Sequence, residues 1–84
     1  MEATAIREQI KTHISTITGI PVGQIADSAS YVDDLGLDSL SMLELSVNLE
    51  YSFKIKLPLE RLPELRTIDD SVRIVQEYTD SARV

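Results

Sequence analysis

Ser39 is the residue of this sequence whose type and place most invite chemistry. It follows Asp38 in the run Asp33-Asp34-Leu35-Gly36-Leu37-Asp38-Ser39-Leu40. An Asp-Ser pair just ahead of an apolar-periodic stretch marks a helix start, where either side chain can accept from the first free amides. Taken alone, capping is the ordinary use of such a serine. Nucleophilic catalysis would need a base within reach of the hydroxyl. The one histidine, His13, falls beside Ile10 and Ile14 in a different segment, where a packing or solvated role suits it. No Gly-x-Ser-x-Gly elbow surrounds Ser39. Asp33, Asp34 and Asp38 could suggest a cation, but their spacing does not follow a helix-loop-helix calcium frame and no Glu closes twelve residues. No metal site is expected. The chain has no cysteine, hence no thiolate ligand, no thiol nucleophile and no disulfide.

The elements that must position Ser39 can be read from hydrophobic spacing. Ile6, Ile10, Ile14 and Ile17 recur at helical intervals, with Arg7, Glu8, Lys11 and Thr12 on the other side. They predict an amphipathic helix over about residues 3–17, ended by Gly19 and Pro21. Residues 19–38 form a long connection, and its apolar members (Ile20, Val22, Ile25, Val32, Leu35 and Leu37) are too many for a solvated linker. Such a loop in so short a chain is expected to pack down across a helical core. A second helix spans about 39–53. Lys54 and Lys56 near its end suit the negative pole of the dipole. Lys54 to Leu57 could be briefly extended. Between Pro58 and Pro63 there is room for one short helical turn at most. A last helix starts near Thr67, with Thr67 or Asp69 as cap and Ile68, Val72, Val75 and Tyr78 on its buried side. No stretch alternates convincingly with period two. The expectation is an all-α, single-domain bundle over residues 1–84, with three main helices plus one short one.

The second helix carries two apolar faces. At about 100° per residue, Met42, Leu45, Leu49 and Phe53 fall within a sector of roughly 80°. Leu40, Leu43 and Val47 gather on nearly the opposite side, extended by Tyr51 and flanked by Glu44 and Glu50. A small bundle covers one face of a helix well and seldom both. The second stripe is therefore expected to stay at least partly exposed, as a transient docking surface with apolar contacts inside and charges at the rim.

Composition narrows the possibilities further. The chain has 84 residues, 43% of them hydrophobic, with few aromatics and no Trp, so its core must be mainly Leu, Ile and Val. The net charge of −6 disfavours nucleic acid and anionic membranes, and it favours basic protein partners. Met1-Glu2-Ala3-Thr4 lacks the features of a signal peptide, and no apolar run approaches the length of a membrane span. A soluble, cytoplasmic monomer is expected.

The segment around Ser39, together with Ser41-Met42-Leu43-Glu44-Leu45, resembles the acyl carrier protein family, which has an Asp-Ser-Leu motif at its modification site. The likeness runs over nearly the whole chain: opening helix, long apolar loop, Leu-Gly-Leu-Asp-Ser-Leu entry, short helix after Pro58, final helix. It implies a non-catalytic protein in which Ser39 is esterified by 4′-phosphopantetheine from coenzyme A, delivered by a phosphopantetheinyl transferase. Asp38 and Leu40 would border that site, and Asp38 would assist the transferase's magnesium or recognition contacts. Leu40, Leu43 and Val47 match the partner-facing stripe, with Glu44 and Glu50 meeting basic residues of acyl-transfer, ketosynthase or ligase-type enzymes. Acyl intermediates would ride as thioesters on the arm, in fatty-acid-like or polyketide synthesis. Met42, Leu45, Leu49 and Phe53 are read as core, with a cavity for the cargo as the other possibility. Ser41 and Tyr51 stand where many fatty-acid carriers have acidic residues, which points toward polyketide or other specialised synthesis. Gly36-Leu37-Asp38, in place of the Gly-Gly usual in peptidyl carriers, favours acyl over aminoacyl cargo. A peptidyl or aminoacyl carrier and an unmodified helical interaction module are the alternatives.

Overall fold

A computed structural model describes residues 2–81. Helix α1 spans Ala3–Thr18, α2 spans Ser39–Phe53 and α3 spans Ile68–Ser81. A three-residue 3-10 turn, η1 (Val22–Gln24), lies in the first connection, and a six-residue 3-10 helix, η2 (Leu59–Glu64), lies in the second. The expected helical architecture is present, and no strand occurs among the described residues. An isolated antiparallel bridge joins Ser30 and Thr67.

Each boundary has a local cause. Gly19 takes the left-handed conformation (φ 79°), and its amide donates to Ser15 O, stopping α1 one residue later than the spacing alone predicts. Thr67 heads α3 through a reciprocal pair: the Asp70 amide donates to Thr67 Oγ1 and the Thr67 amide donates to Asp70 Oδ2, both at 3.1 Å. η2 is longer than the single turn expected, because it runs through Pro63. A missing N–H removes only one bond from so short a 3-10 element, and the chain resumes with the Leu65 amide donating to Leu62 O. Residues 55–58 have no regular structure.

The core is aliphatic. Ile6, Ile10 and Ile14 of α1 meet Ile68, Val72, Ile74 and Val75 of α3, and Met42, Leu45, Leu49 and Phe53 of α2 close the third side. The long connection contributes Ile25, Tyr31 and Leu37 to this core, so it does pack across the bundle, although Val22 and Val32 stay exposed. At the outer edge, Arg7 pairs with Asp27 and Asp69, and Lys11 also pairs with Asp27, tying α1 to the loop and to α3. The Lys11 hydrogen bond holds the Asp27 carboxyl below the usual carboxylate range. No helix of the described residues is long and apolar enough to cross a membrane.

Candidate functional site

The turn that delivers Ser39 is built by its own side chains. Asp34 Oδ2 accepts from the Ser30 amide at 2.7 Å, and Ser30 Oγ accepts from the Asp33 amide at 3.2 Å. The Asp34 and Leu35 amides both donate to Ser30 O at 3.0 Å. Asp34 thus serves the loop, and among the described residues no cluster of His, Cys, Asp and Glu comes together that could hold a metal. Gly36 then turns with φ 70°, a conformation that costs glycine little and other residues more. This reverses the chain so that Leu37 drops into the core, and its amide donates to Tyr31 O at 2.8 Å.

Tyr31 is the anchor of this arrangement. Its amide donates to Arg66 O at 3.0 Å, and its hydroxyl lies 2.6 Å from Ser71 Oγ on α3. The side chain is fully buried, and burial pushes the phenol well above its ordinary range. Neither Tyr31 nor Ser71 stands out in the sequence. Forty residues separate them, and only the folded loop brings them together.

At the head of α2, Asp38 does the capping. Its backbone is extended, and Oδ1 accepts from the Ser41 amide at 2.9 Å. That hydrogen bond from Ser41 is the main reason its carboxyl is held below the usual range, so Asp38 is anionic at neutral pH. Ser39, the first helical residue, is exposed, and among the described residues nothing hydrogen-bonds its hydroxyl. The capping role that suits an isolated serine thus belongs to its neighbour, and the Ser39 oxygen is left facing solvent. The fit to a phosphodiester is through this accessible oxygen. The Asp38 carboxylate already occupies the Ser41 amide, so that donor is not free for a phosphate on Ser39 Oγ.

Beside Ser39 opens a groove of about 800 Å³. Leu37, Met42 and Leu43 line one side, and Leu62, Pro63 and Leu65 line the other. Along α2 the second apolar stripe is exposed: Leu40 is 65% accessible, Leu43 43%, Val47 60% and Tyr51 86%. Glu44 is exposed at its rim. Glu50 is half-buried, and its Oε2 accepts from the Leu57 amide at 3.0 Å, so one of its oxygens is committed to holding the chain that leaves α2. His13 does not line the serine groove; it lines a second hollow with Glu44, Val47 and Tyr51, and Leu43 borders both. The His13 Nε2 is closed off from solvent without a hydrogen-bond partner, and burial lowers its pKa, with Glu44 working in the opposite direction.

Comparisons with known proteins bear on this site. A family model described as the phosphopantetheine attachment site matches residues 8–75. The meromycolate extension acyl carrier protein of Mycobacterium leprae is 44% identical over 67 residues, which cover 80% of this chain and 58% of that protein. The chain therefore spans less than two thirds of the length of that relative. The acyl carrier protein of Thermobifida fusca is 36% identical over 64 residues, covering 76% of this chain and 81% of that one. In fold, the solved acyl carrier protein of Enterococcus faecalis superposes with a TM-score of 0.79 at 24% identity, over 93% of this chain and 99% of that one. Members of this family carry their cargo on a covalent 4′-phosphopantetheine group and do not themselves catalyse its reactions. An attachment-site match over residues 8–75, together with a relative 36% identical that is covered over 81% of its length, leads to one placement: the chain belongs to the acyl carrier protein family.

Proposed function

We propose that the chain carries acyl intermediates as thioesters on a 4′-phosphopantetheine arm esterified to Ser39, passing them between enzymes of fatty-acid-like or polyketide synthesis. One observation carries this reading. The Ser39 hydroxyl is exposed at the head of α2 while Asp38 performs the cap, so an ester at that oxygen takes away nothing the fold uses. The arm supplies a thiol whose thioesters are activated for acyl transfer, and the protein supplies presentation.

The partners follow from the surface. A phosphopantetheinyl transferase must reach Ser39 first, with the anionic Asp38 beside it. Acyl-transfer, ketosynthase or ligase-type enzymes then dock on Leu40, Leu43 and Val47, with basic groups near Glu44 and the remaining oxygen of Glu50. Tyr51 makes the far end of the stripe aromatic where an acidic group would serve a housekeeping partner, which favours a specialised pathway. The relative named for meromycolate extension supports that direction.

Intact-mass measurement after incubation with coenzyme A and a broad-specificity transferase tests the reading. A gain of one phosphopantetheine is expected, and Ser39→Ala is expected to abolish it. An unchanged mass with several transferases would instead favour an unmodified interaction module, and a gain that survives Ser39→Ala would move the attachment elsewhere.

A further inference from the structure

Between α2 and α3, hydrogen bonds and the buried side chains of Leu57 and Leu65 fix the chain on either side of η2. The Leu57 amide is tied to Glu50, and the Arg66 carbonyl takes the Tyr31 amide. η2 lies between these points and buries none of its six residues. Its backbone bonds are local, and Leu62 is only half-buried against the core. Among the described residues, every hydrogen bond that leaves η2 for another element comes from Arg61. The guanidinium grips Glu64 with a parallel pair, Nε to Oε2 at 3.0 Å and Nη2 to Oε1 at 2.9 Å. The same Nη2 reaches Glu77 Oε2 on α3 at 3.1 Å, and Nη1 reaches the Tyr78 hydroxyl at 3.5 Å. The guanidinium carbon also lies 5.6 Å from the centre of the Tyr78 ring.

η2 and the residues just after it form one wall of the groove beside Ser39, through Leu62, Pro63, Leu65 and Arg66. Leu65 anchors the far end of this wall in the core, whereas η2 itself is held to the rest of the fold by one cation and the half-buried Leu62. The two-pronged contact with Glu64 fixes the orientation of the guanidinium, and the tyrosine ring adds a cation–π attraction. Glu77 is nonetheless half-exposed, so the link is open to screening by salt. Segments with little buried apolar surface open locally at free energies well below that of global unfolding.

We propose that Arg61 is a specificity-determining residue: its link from η2 to Glu77 and Tyr78 is a latch that holds one wall of the Ser39 groove and so sets how much of an acyl chain the groove shelters. The sheltering presupposes the carrier reading of Ser39, whereas the latch is present in the unmodified protein. Amide hydrogen exchange on the unmodified full chain reads the latch directly. In Arg61→Gln and in Glu77→Gln, the Leu65 and Arg66 amides are expected to exchange about threefold faster than in the wild type at low salt. Arg61→Lys, which keeps the charge but not the fork, is expected to fall between them. The wild type should approach the Gln variants as NaCl rises toward about 1 M, and the Leu49 and Val75 amides should not change.

Cargo is tested by loading Ser39 with acetyl- or dodecanoyl-phosphopantetheine and following thioester loss to hydroxylamine. The dodecanoyl form of the wild type is expected to outlast the acetyl form, and Arg61→Gln to shorten the dodecanoyl lifetime about threefold while leaving acetyl alone. Equal exchange at Leu65 and Arg66 in all four proteins overturns the latch. Faster exchange with an unaltered dodecanoyl lifetime overturns the link to specificity. Failure of Ser39 to load overturns the carrier reading and the cargo claim with it, while the exchange rates still decide the latch.

Discussion

Tyr31 and Ser71 share one buried hydrogen bond, yet losing either partner has different consequences. Removing the phenol oxygen leaves Ser71 Oγ with a second acceptor, Thr67 O at 3.4 Å. Removing the serine oxygen leaves a fully buried phenol with no partner at all. An unmade buried hydrogen bond costs more than a deleted one. Tyr31→Phe is therefore expected to destabilise by about 1 kcal/mol, and Ser71→Ala by roughly 2 kcal/mol. Urea denaturation of both variants measures the difference, and the reverse order would mean that the phenol finds another donor or acceptor. The same bond matters to Ser39, because Leu37, two residues ahead of the serine, donates to the Tyr31 carbonyl. The serine proposed to carry the arm is thus positioned through a residue with no chemistry of its own.

At the level of elements, α2 buries one apolar face and leaves the other exposed. Leu45 is fully buried and Leu43 is 43% accessible, two residues apart on opposite faces. Leu45→Ala is expected to cost about 2–5 kcal/mol through lost contacts and a cavity. Leu43→Ala is expected to fall within about 0.5 kcal/mol of wild type. Thermal melts of the two variants check this, and equal losses would show that the outer stripe is covered after all. The division of α2 into two faces could be read from the sequence, because helical period leaves a local imprint on residues three and four apart. So could the α1 stripe, the Gly19 stop and the entry at Asp38-Ser39. Which of Asp38 and Ser39 caps could not, since both are good caps and only the backbone geometry separates them. The anchors that join distant segments were equally invisible. Tyr31 with Ser71, Glu50 with Leu57 and Arg61 with Glu77 are pairings across connections, and pairings of that kind leave no periodic trace. Pro63 reads as a stop in the sequence because its local effect is legible there, and the tolerance of a short 3-10 helix for it is not.

For the molecule as a whole, acid is the condition that tests how its charges are held, and two pH windows should separate. An unfolded chain protonates His13 near 6.5, whereas burial keeps the folded imidazole neutral to lower pH. Between those points the unfolded state binds more protons, so stability falls as pH drops below about 6.5. The carboxyls of Asp27, Asp38 and Glu64 are held below their ordinary values by Lys11, the Ser41 amide and Arg61 respectively. Their unfolded counterparts take up protons first, near 3.8 for Asp and 4.5 for Glu, so a second and steeper loss begins there. Urea midpoints measured from pH 8 to pH 3 should accordingly show a shallow shoulder and then a drop. His13→Gln is expected to erase the shoulder and keep the drop. Glu44→Gln is expected to deepen the shoulder, because Glu44 is the group that eases protonation of His13. A flat wild-type profile between pH 7.5 and 5.5, or a shoulder that survives in His13→Gln, would mean that the imidazole reaches water in the folded protein and that the α1–α2 contact around Nε2 is looser than the structure has it.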